Sequence, residues 1–258
     1  MGSFGAAAVD GLNTGRPLRG IALDIGSSRT RAWAPGAGVF ADVPSVPVRR
    51  GRVTDTDSQL RLLRRLAASA PGDDDPGQGT VVMLTHPVLA APEERAATRR
   101  VVDALGPVRV ISVDSARAAA AYAAPPGGGP LLVVDLGAQL TEVTLVVDGL
   151  VEDARLAEVG LDDLPESGSA PDTVAGTAAD MVSDLWRHDR TGAVRRALRR
   201  GVLVTGGGAL RLDVTSRLAH VLRARLRLAN DPSTSVVRGA GLMLASALRH
   251  PAGSAGRG

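Results

Sequence analysis

Apolar residues along this chain recur at two periods, and the switches between them mark its elements. Residues 20–43 read as strand, turn, strand and then a further short strand, its first apolar run at 21–25, and short apolar or alternating runs also stand at 81–84, 108–113, 131–136, 143–147, 202–205 and 226–229. They are of strand length and stop at or near Gly, Pro, Asp or Asn, which predicts strands covered on both faces. Between them the period lengthens. Leu60, Leu63, Leu66 and Ala67 share one face of a helix predicted over 57–70, with Asp55 or Thr56 as its candidate N-cap. Pro92 suits the first position of a helix over 93–105. Further helices are predicted over 115–124, 173–187, 209–224 and, opened by Pro232, 233–248. Strands alternating with helices predict an α/β fold. The stretch 125–130, PPGGGP, is the clearest boundary and divides the chain into similar halves. Residues 71–79 predict an acidic surface loop, the glycine-rich start 1–17 predicts disorder, and 250–258 predicts a loose tail.

Three glycine turns end apolar strands: GIALDIGSSRTR at 20–31, LLVVDLGAQLTEV at 131–143 and GVLVTGGGAL at 201–210. The first two share one plan, an apolar run, Asp-x-Gly, a short polar turn and a second β-rich run. That is a hairpin used twice. Turn amides in such a hairpin can form an anion-binding nest, and glycine lets backbone approach a phosphate. The candidate contacts are Gly26, Ser27 and Ser28 in the first turn and Gly137 in the second. Asp24 and Asp135, just ahead of the glycines, are of the type that holds a hydrated Mg²⁺; the other role open to them is tying their own turns. Gly206, Gly207 and Gly208 suit a nucleotide's sugar or phosphate lying on backbone, or simply tight strand-to-helix packing. His86, His188, His220 and His250 show no metal-ligand spacing.

Two Asp-x-Gly hairpins followed by strand–GGG–helix resemble the nucleotide site of the actin, DnaK-chaperone and sugar-kinase superfamily. Within it the chain is most similar to the bacterial cytoskeletal actins of the MreB/Mbl family. The likeness is carried by 20–46, by 81–124 with APEERA at 91–96, by VVDLGAQLTEV and EVGLDDL, and by RGVLVTGGGAL and VVRGAGLMLASA. The resemblance implies an actin-like (ribonuclease H-like) α/β fold of two similar halves, 18–128 and 129–231, with the last helix, 233–248, returning to the first half. It implies ATP with Mg²⁺ at Asp24 and Asp135, cofactor contacts at Asp24, Gly26, Ser27, Ser28, Asp135, Gly137, Gly206, Gly207 and Gly208, and Glu93 as the water-orienting acid. It also implies a cytoplasmic role in cell-shape or spore-wall morphogenesis, with an MreB-type filament or cell-wall morphogenesis proteins as partners.

The departures from that family matter as much. Its two outer subdomains are expected to be lost here, near 47–50 and near 165–172, where only short connectors remain. The family's second turn reads Asp-Ile-Gly-Gly-Gly-Thr-Thr-Glu; this chain has Ala138, Gln139 and Leu140 after Gly137. Ala138 and Gln139 are expected to need a costly positive φ, and Leu140 lacks the hydroxyl that would help place an attacking water. The expectation is weak or absent ATP binding and little hydrolysis, with Glu93 equally readable as a first-turn helix acid. The implied role is then a reduced partner of a full MreB filament. An autonomous filament former is the alternative, and a small-molecule kinase lacks an acceptor pocket.

Composition adjusts this picture at a few points. Aromatic content is 2% against 44% hydrophobic, so the core must be built of Val, Leu and Ala. The absence of cysteine excludes a disulfide scaffold and thiolate metal sites and fits a reducing cytosol. No apolar run reaches membrane-span length and no basic-then-apolar leader is present, so the membrane periphery is expected to be reached only through a partner. The pI near 10.6 suggests nucleic acid, but the net charge is only +3. All 30 basic residues are Arg, so little titrates above neutrality before Arg itself. Arg64–Arg65 and Arg99–Arg100 fall on predicted helices, and none of the arginine pairs is interleaved with aromatic platforms, which argues against nucleic-acid binding.

Overall fold

The computed structural model describes residues 18–45, 47–71, 79–124, 128–164 and 171–249. The predicted disorder of 1–17, the loose tail and most of the loops at 71–79 and 125–130 lie outside those residues.

The chain opens with β1 (Leu18–Ile25), which turns back as β2 (Arg29–Ala34) and again as β3 (Gly38–Pro44). A two-stranded hairpin, β4 (Val48–Arg49) and β5 (Arg52–Val53), leads to α1 (Thr56–Ala68). Asp55 caps α1, its side chain accepting the Ser58 amide at 2.9 Å. Then follow β6 (Gly79–His86), α2 (Pro92–Asp103), β7 (Arg109–Asp114) and α3 (Ser115–Ala123). The sheet order is β3-β2-β1-β6-β7, antiparallel within the opening hairpins and parallel across β1, β6 and β7.

The second half repeats the plan. It contains β8 (Leu131–Leu136), β9 (Thr141–Val147), β10 (Leu150–Ala157), α4 (Pro171–His188), α5 (Ala193–Arg200), β11 (Val202–Thr205), α6 (Leu212–Leu222) and β12 (Leu226–Leu228). Its sheet order is β10-β9-β8-β11-β12, again antiparallel first and parallel after. The last helix, α7 (Ser235–Arg249), packs against α3 and against β1, β2 and β6 of the first half.

Period-2 alternation sorts the strand residues into layers. Ile21, Leu23, Val82 and Leu84 face α1 and α2. Ala22, Val81, Met83, Leu131, Val133 and Val146 face a central layer of α3 and α7. Leu132, Val134, Leu136, Val143 and Leu145 face α4, α5 and α6. The central layer is tight because its helices carry small residues. A Cβ on Gly239 would fall on the Ala118 carbonyl, and one on Gly241 would enter the Trp33 ring.

Five features differ from the sequence expectation, the first being the β4–β5 hairpin where only a short connector was expected. β10 was not anticipated, because an edge strand of sequence LVEDARLA, with only Ala154 buried, has no apolar run. The α5 helix, eight residues with only Ala193, Val194 and Ala197 buried, is too short to show its period. The helix expected at 209 begins at Leu212, since Gly207–Leu210 form a single 3₁₀ turn first. Finally, neither Ala138 nor Gln139 adopts positive φ; among the described non-glycine residues only Arg50, Asp148, Arg223 and Asp231 do.

Candidate functional site

Antiparallel partners share a face of their sheet, and this rule builds the site. Asp24 pairs with Arg31 across β1 and β2, and Asp135 pairs with Glu142 across β8 and β9. All four line one cavity of about 230 Å³ between the halves. The turns that close the two hairpins are alike. The Gly26 amide donates to the Arg29 carbonyl at 3.0 Å, and the Gly137 amide to the Leu140 carbonyl at 2.9 Å. Ala138 and Gln139 therefore fit the same closed turn as Ser27 and Ser28, which is why no positive φ is required of them.

The third wall comes from the turn after β11. Thr205 pairs with Asp135, which brings Gly206 beside that carboxylate. Gly206 has φ +85°, and a Cβ there would collide with Asp135 Oδ1 and the Leu136 carbonyl. Only glycine meets both demands. Gly206 and Gly207 line the cavity. Gly208 does not; it lies against the Leu136 side chain, so its role is strand-to-turn packing.

Burial sets the electrostatics. Asp24 accepts from Thr85 Oγ1 at 2.8 Å and stands 3.7 Å from Arg31 Nη1. Burial pushes its proton affinity up and Arg31 opposes the rise. Asp135 is pushed to about 7, by burial first and by the Asp24 charge second. Glu142 accepts the Val88 amide at 2.7 Å and is pushed to about 8, by burial and then by the Asp135 charge. His86 is lowered by burial and is neutral at pH 7. The cavity thus holds three carboxyl groups, with Arg31 as the guanidinium beside Asp24.

The tip of the β4–β5 hairpin reaches the cavity, where Gly51 is part of its lining. Arg50 and Gly51, at φ 47° and 78°, form a two-residue turn of the type that suits strand twist. A positive φ at Arg50 costs on the order of 1 kcal/mol or more, and contacts to the second half hold it there. The Arg50 amide donates to Gln139 Oε1 at 2.8 Å and its Nη1 to the Gln139 carbonyl at 3.2 Å. Its Nη2 meets Asp163 Oδ1 at 2.9 Å, and its Nη1 also reaches the Glu158 carbonyl. The Gly51 amide donates to Ser27 Oγ at 3.1 Å.

Asp24, Gly26, Ser27, Ser28, Asp135, Gly137, Gly206 and Gly207 are thus brought to one cavity. Glu93 is not. Pro92 starts α2 so that Glu94 reaches back to the Ala91 amide and to Arg52, at 3.0 and 2.5 Å, while Glu93 is exposed and outside the lining. Arg31, Thr85, Glu142, Arg50 and Gln139 were not singled out as site residues. Arg31 and Glu142 were findable: each follows its aspartate at the same offset, which hairpin pairing turns into adjacency.

Two carboxylates facing a cavity suit Mg²⁺, which keeps several waters and enters with substrate phosphates. Among the described residues no three His, Cys, Asp or Glu are placed to hold a metal by themselves. The donor set therefore fits a metal carried in by a polyphosphate. The cavity itself lies below the roughly 300–1,000 Å³ of ordinary ligand pockets.

No family model and no curated protein matches the sequence. Solved structures do match. MreB5 of Spiroplasma citri bound to ADP superposes with a TM-score of 0.77 at 16% identity, over 90% of this chain and 98% of that one. The ethanolamine utilization protein EutJ from Carboxydothermus hydrogenoformans gives 0.64 at 19% identity, over 91% and 92%. A non-polymerising A278D mutant of MamK bound to AMPPNP gives 0.64 at 13% identity, over 89% and 99%. At these identities the likeness speaks for the fold, and the fold is actin-like.

Proposed function

We propose that this actin-like chain is a reduced cytoskeletal protein that binds ATP weakly or not at all, hydrolyses it little, and works with a full-length MreB-type filament in cell-shape or spore-wall synthesis. One observation carries the reading: two Asp-x-Gly hairpins of matching turn geometry face each other across a single cavity, with Gly206 and Gly207 as its third wall. MreB5 and MamK, of the same fold, have been solved with ADP or AMPPNP bound.

In this reading the phosphates of a nucleotide lie between the two turns. Ser27 and Ser28 offer hydroxyls, Arg31 offers positive charge, and Asp24 and Asp135 hold the hydrated Mg²⁺. That ion would neutralise phosphate charge. What the chain lacks is a group to position water. Leu140 is apolar where a hydroxyl would serve, and Glu93 is turned out of the cavity. Phosphoryl transfer depends on positioned charge and a positioned nucleophile, so binding without turnover is the chemistry these residues support.

Steady phosphate release by the purified protein should stay at background. Release at the rate of an intact MreB, abolished by Asp24→Ala, would overturn the reading. Restoring Ala138→Gly, Gln139→Gly and Leu140→Thr together should tighten nucleotide binding at least tenfold. Co-sedimentation with full-length MreB polymers tests the partner. The alternative, a filament former in its own right, draws support from a likeness to the MamK double helical filament subunit (TM-score 0.66, 13% identity).

A further inference from the structure

The β4–β5 tip bonds to both of the turns that frame the cavity. Its Gly51 amide takes Ser27 Oγ from the first turn, and its Arg50 amide takes Gln139 Oε1 from the second. The Arg50 guanidinium then reaches past Gln139 to Asp163, and Gln139 Nε2 donates to Asp162 Oδ2 at 3.0 Å. Arg52, one residue on, spans Glu94 of the first half and Glu158 of the second, each at 2.5 Å. The 3₁₀ turn Leu161–Asp163 backs the second hairpin turn through Asp162 N to the Ala138 carbonyl at 2.7 Å and Leu161 N to the Gly137 carbonyl at 3.1 Å. The second turn is thus gripped from both sides. Gln139, which as a sequence feature looked like damage to a phosphate turn, is the acceptor this grip needs.

We propose that the β4–β5 hairpin is an intramolecular clasp that holds the cleft shut, and that a ligand's phosphate group and the hairpin tip compete for the same two turns. The ligand half of this statement rests on the nucleotide reading above; the clasp itself rests on the contacts alone. A closed clasp explains a cavity smaller than a nucleotide-sized ligand requires, and it joins the halves directly through Arg50 and Arg52. Its ion pairs are solvent-accessible, Arg50 and Asp163 at 27% and 32% side-chain exposure and Arg52 and Glu158 at 53% and 47%. Salt therefore loosens it.

The test is amide hydrogen exchange on the full chain, wild type against Gln139→Gly and against the surface change Asp163→Asn. In Gln139→Gly the Arg50 amide loses its acceptor and must speed up. The Gly51 amide keeps Ser27, so it speeds up only if the tip lifts as a unit. A tenfold or greater rise at Gly51 in both variants, with β1 and β8 amides unchanged, is the expected result. A similar rise is expected in wild type when ionic strength goes from about 0.05 M to about 0.5 M. A Gly51 amide that stays protected in both variants overturns the clasp. Titration with AMPPNP and Mg²⁺ separates the two readings. Tenfold tighter binding by Arg50→Ala than by wild type supports competition, whereas equal measurable affinities overturn it. Fast Gly51 exchange with no AMPPNP binding in any variant leaves the clasp standing and removes the nucleotide.

Discussion

Glu142 sits at 4% exposure on the cavity wall, facing Asp135. Its carboxyl is pushed from an ordinary 4.5 to about 8, and that of Asp135 from 3.8 to about 7. Both shifts are upward, so the folded chain binds protons more tightly than the unfolded one. Stability contributed this way is complete below about pH 4 and declines as pH rises toward 8, the unfolded groups ionising first. Thermal melts from pH 5 to pH 8.5 should show that decline. Glu142→Gln keeps an acceptor for the Val88 amide and should flatten the curve. It should gain on the order of 2–4 kcal/mol at pH 8, with Asp135 retaining a shallower slope up to about 7. An unaltered pH profile would show that Glu142 titrates normally. Gln59, on α1, is fully buried with neither amide atom bonded among the described residues. Such a group costs about 1–3 kcal/mol in lost hydration. Gln59→Met, similar in shape and without polar atoms, should raise the denaturation midpoint by a few degrees.

At the scale of elements, β8 is the strand on which most of the molecule converges. Leu132, Val134 and Leu136 enter the outer core, Leu131 and Val133 enter the central layer, and Asp135 alone faces the cavity. Val133 is 1% exposed and lies among residues of α3, α7 and both sheets. Val133→Asp would bury a carboxylate among the apolar residues of the central layer, a loss of about 3 kcal/mol or more. A soluble variant melting cooperatively within a few degrees of wild type would show that β8 is not the central strand described here. The loop at Gly206 obeys the same logic from the other direction: positive φ and contact with Asp135 together leave no room for a side chain.

At the scale of the whole molecule, two five-stranded sheets of identical order enclose α3 and α7. Between β3 and α1 the described residues hold only the β4–β5 hairpin, and between β10 and α4 only one 3₁₀ turn. Head-to-tail growth needs two complementary faces on every subunit. If the connectors have replaced the outer subdomains of a full MreB, one of those faces is gone. Electron microscopy of the isolated chain at high concentration with ATP and Mg²⁺ should then show no long filaments. Mixed with full-length MreB, the chain should shorten filaments or mark one end. Long double filaments from this chain alone would establish the autonomous-filament reading instead.

The actin-like fold was legible in the sequence because its signals are local. Apolar runs, helix periods and glycine turns are set within a few residues, and two Asp-x-Gly hairpins plus strand–GGG placed Asp24, Asp135 and Gly206 around one site. Arg31 and Glu142 were implicit in the same hairpins, through pairing register. Edge strand β10 and short α5 were not, since weak periods form only when a neighbouring sheet supplies the hydrophobic face. Long-range geometry decided the rest. Whether Gln139 spoils a turn or completes a clasp depends on Arg50, 89 positions away in sequence and 2.8 Å away in space. Whether Glu93 or Glu94 points inward depends on where Pro92 starts the helix and on Arg52 opposite it. Hydrogen bonds and burial between distant segments have no periodicity to read, and only the folded chain brings those partners within reach.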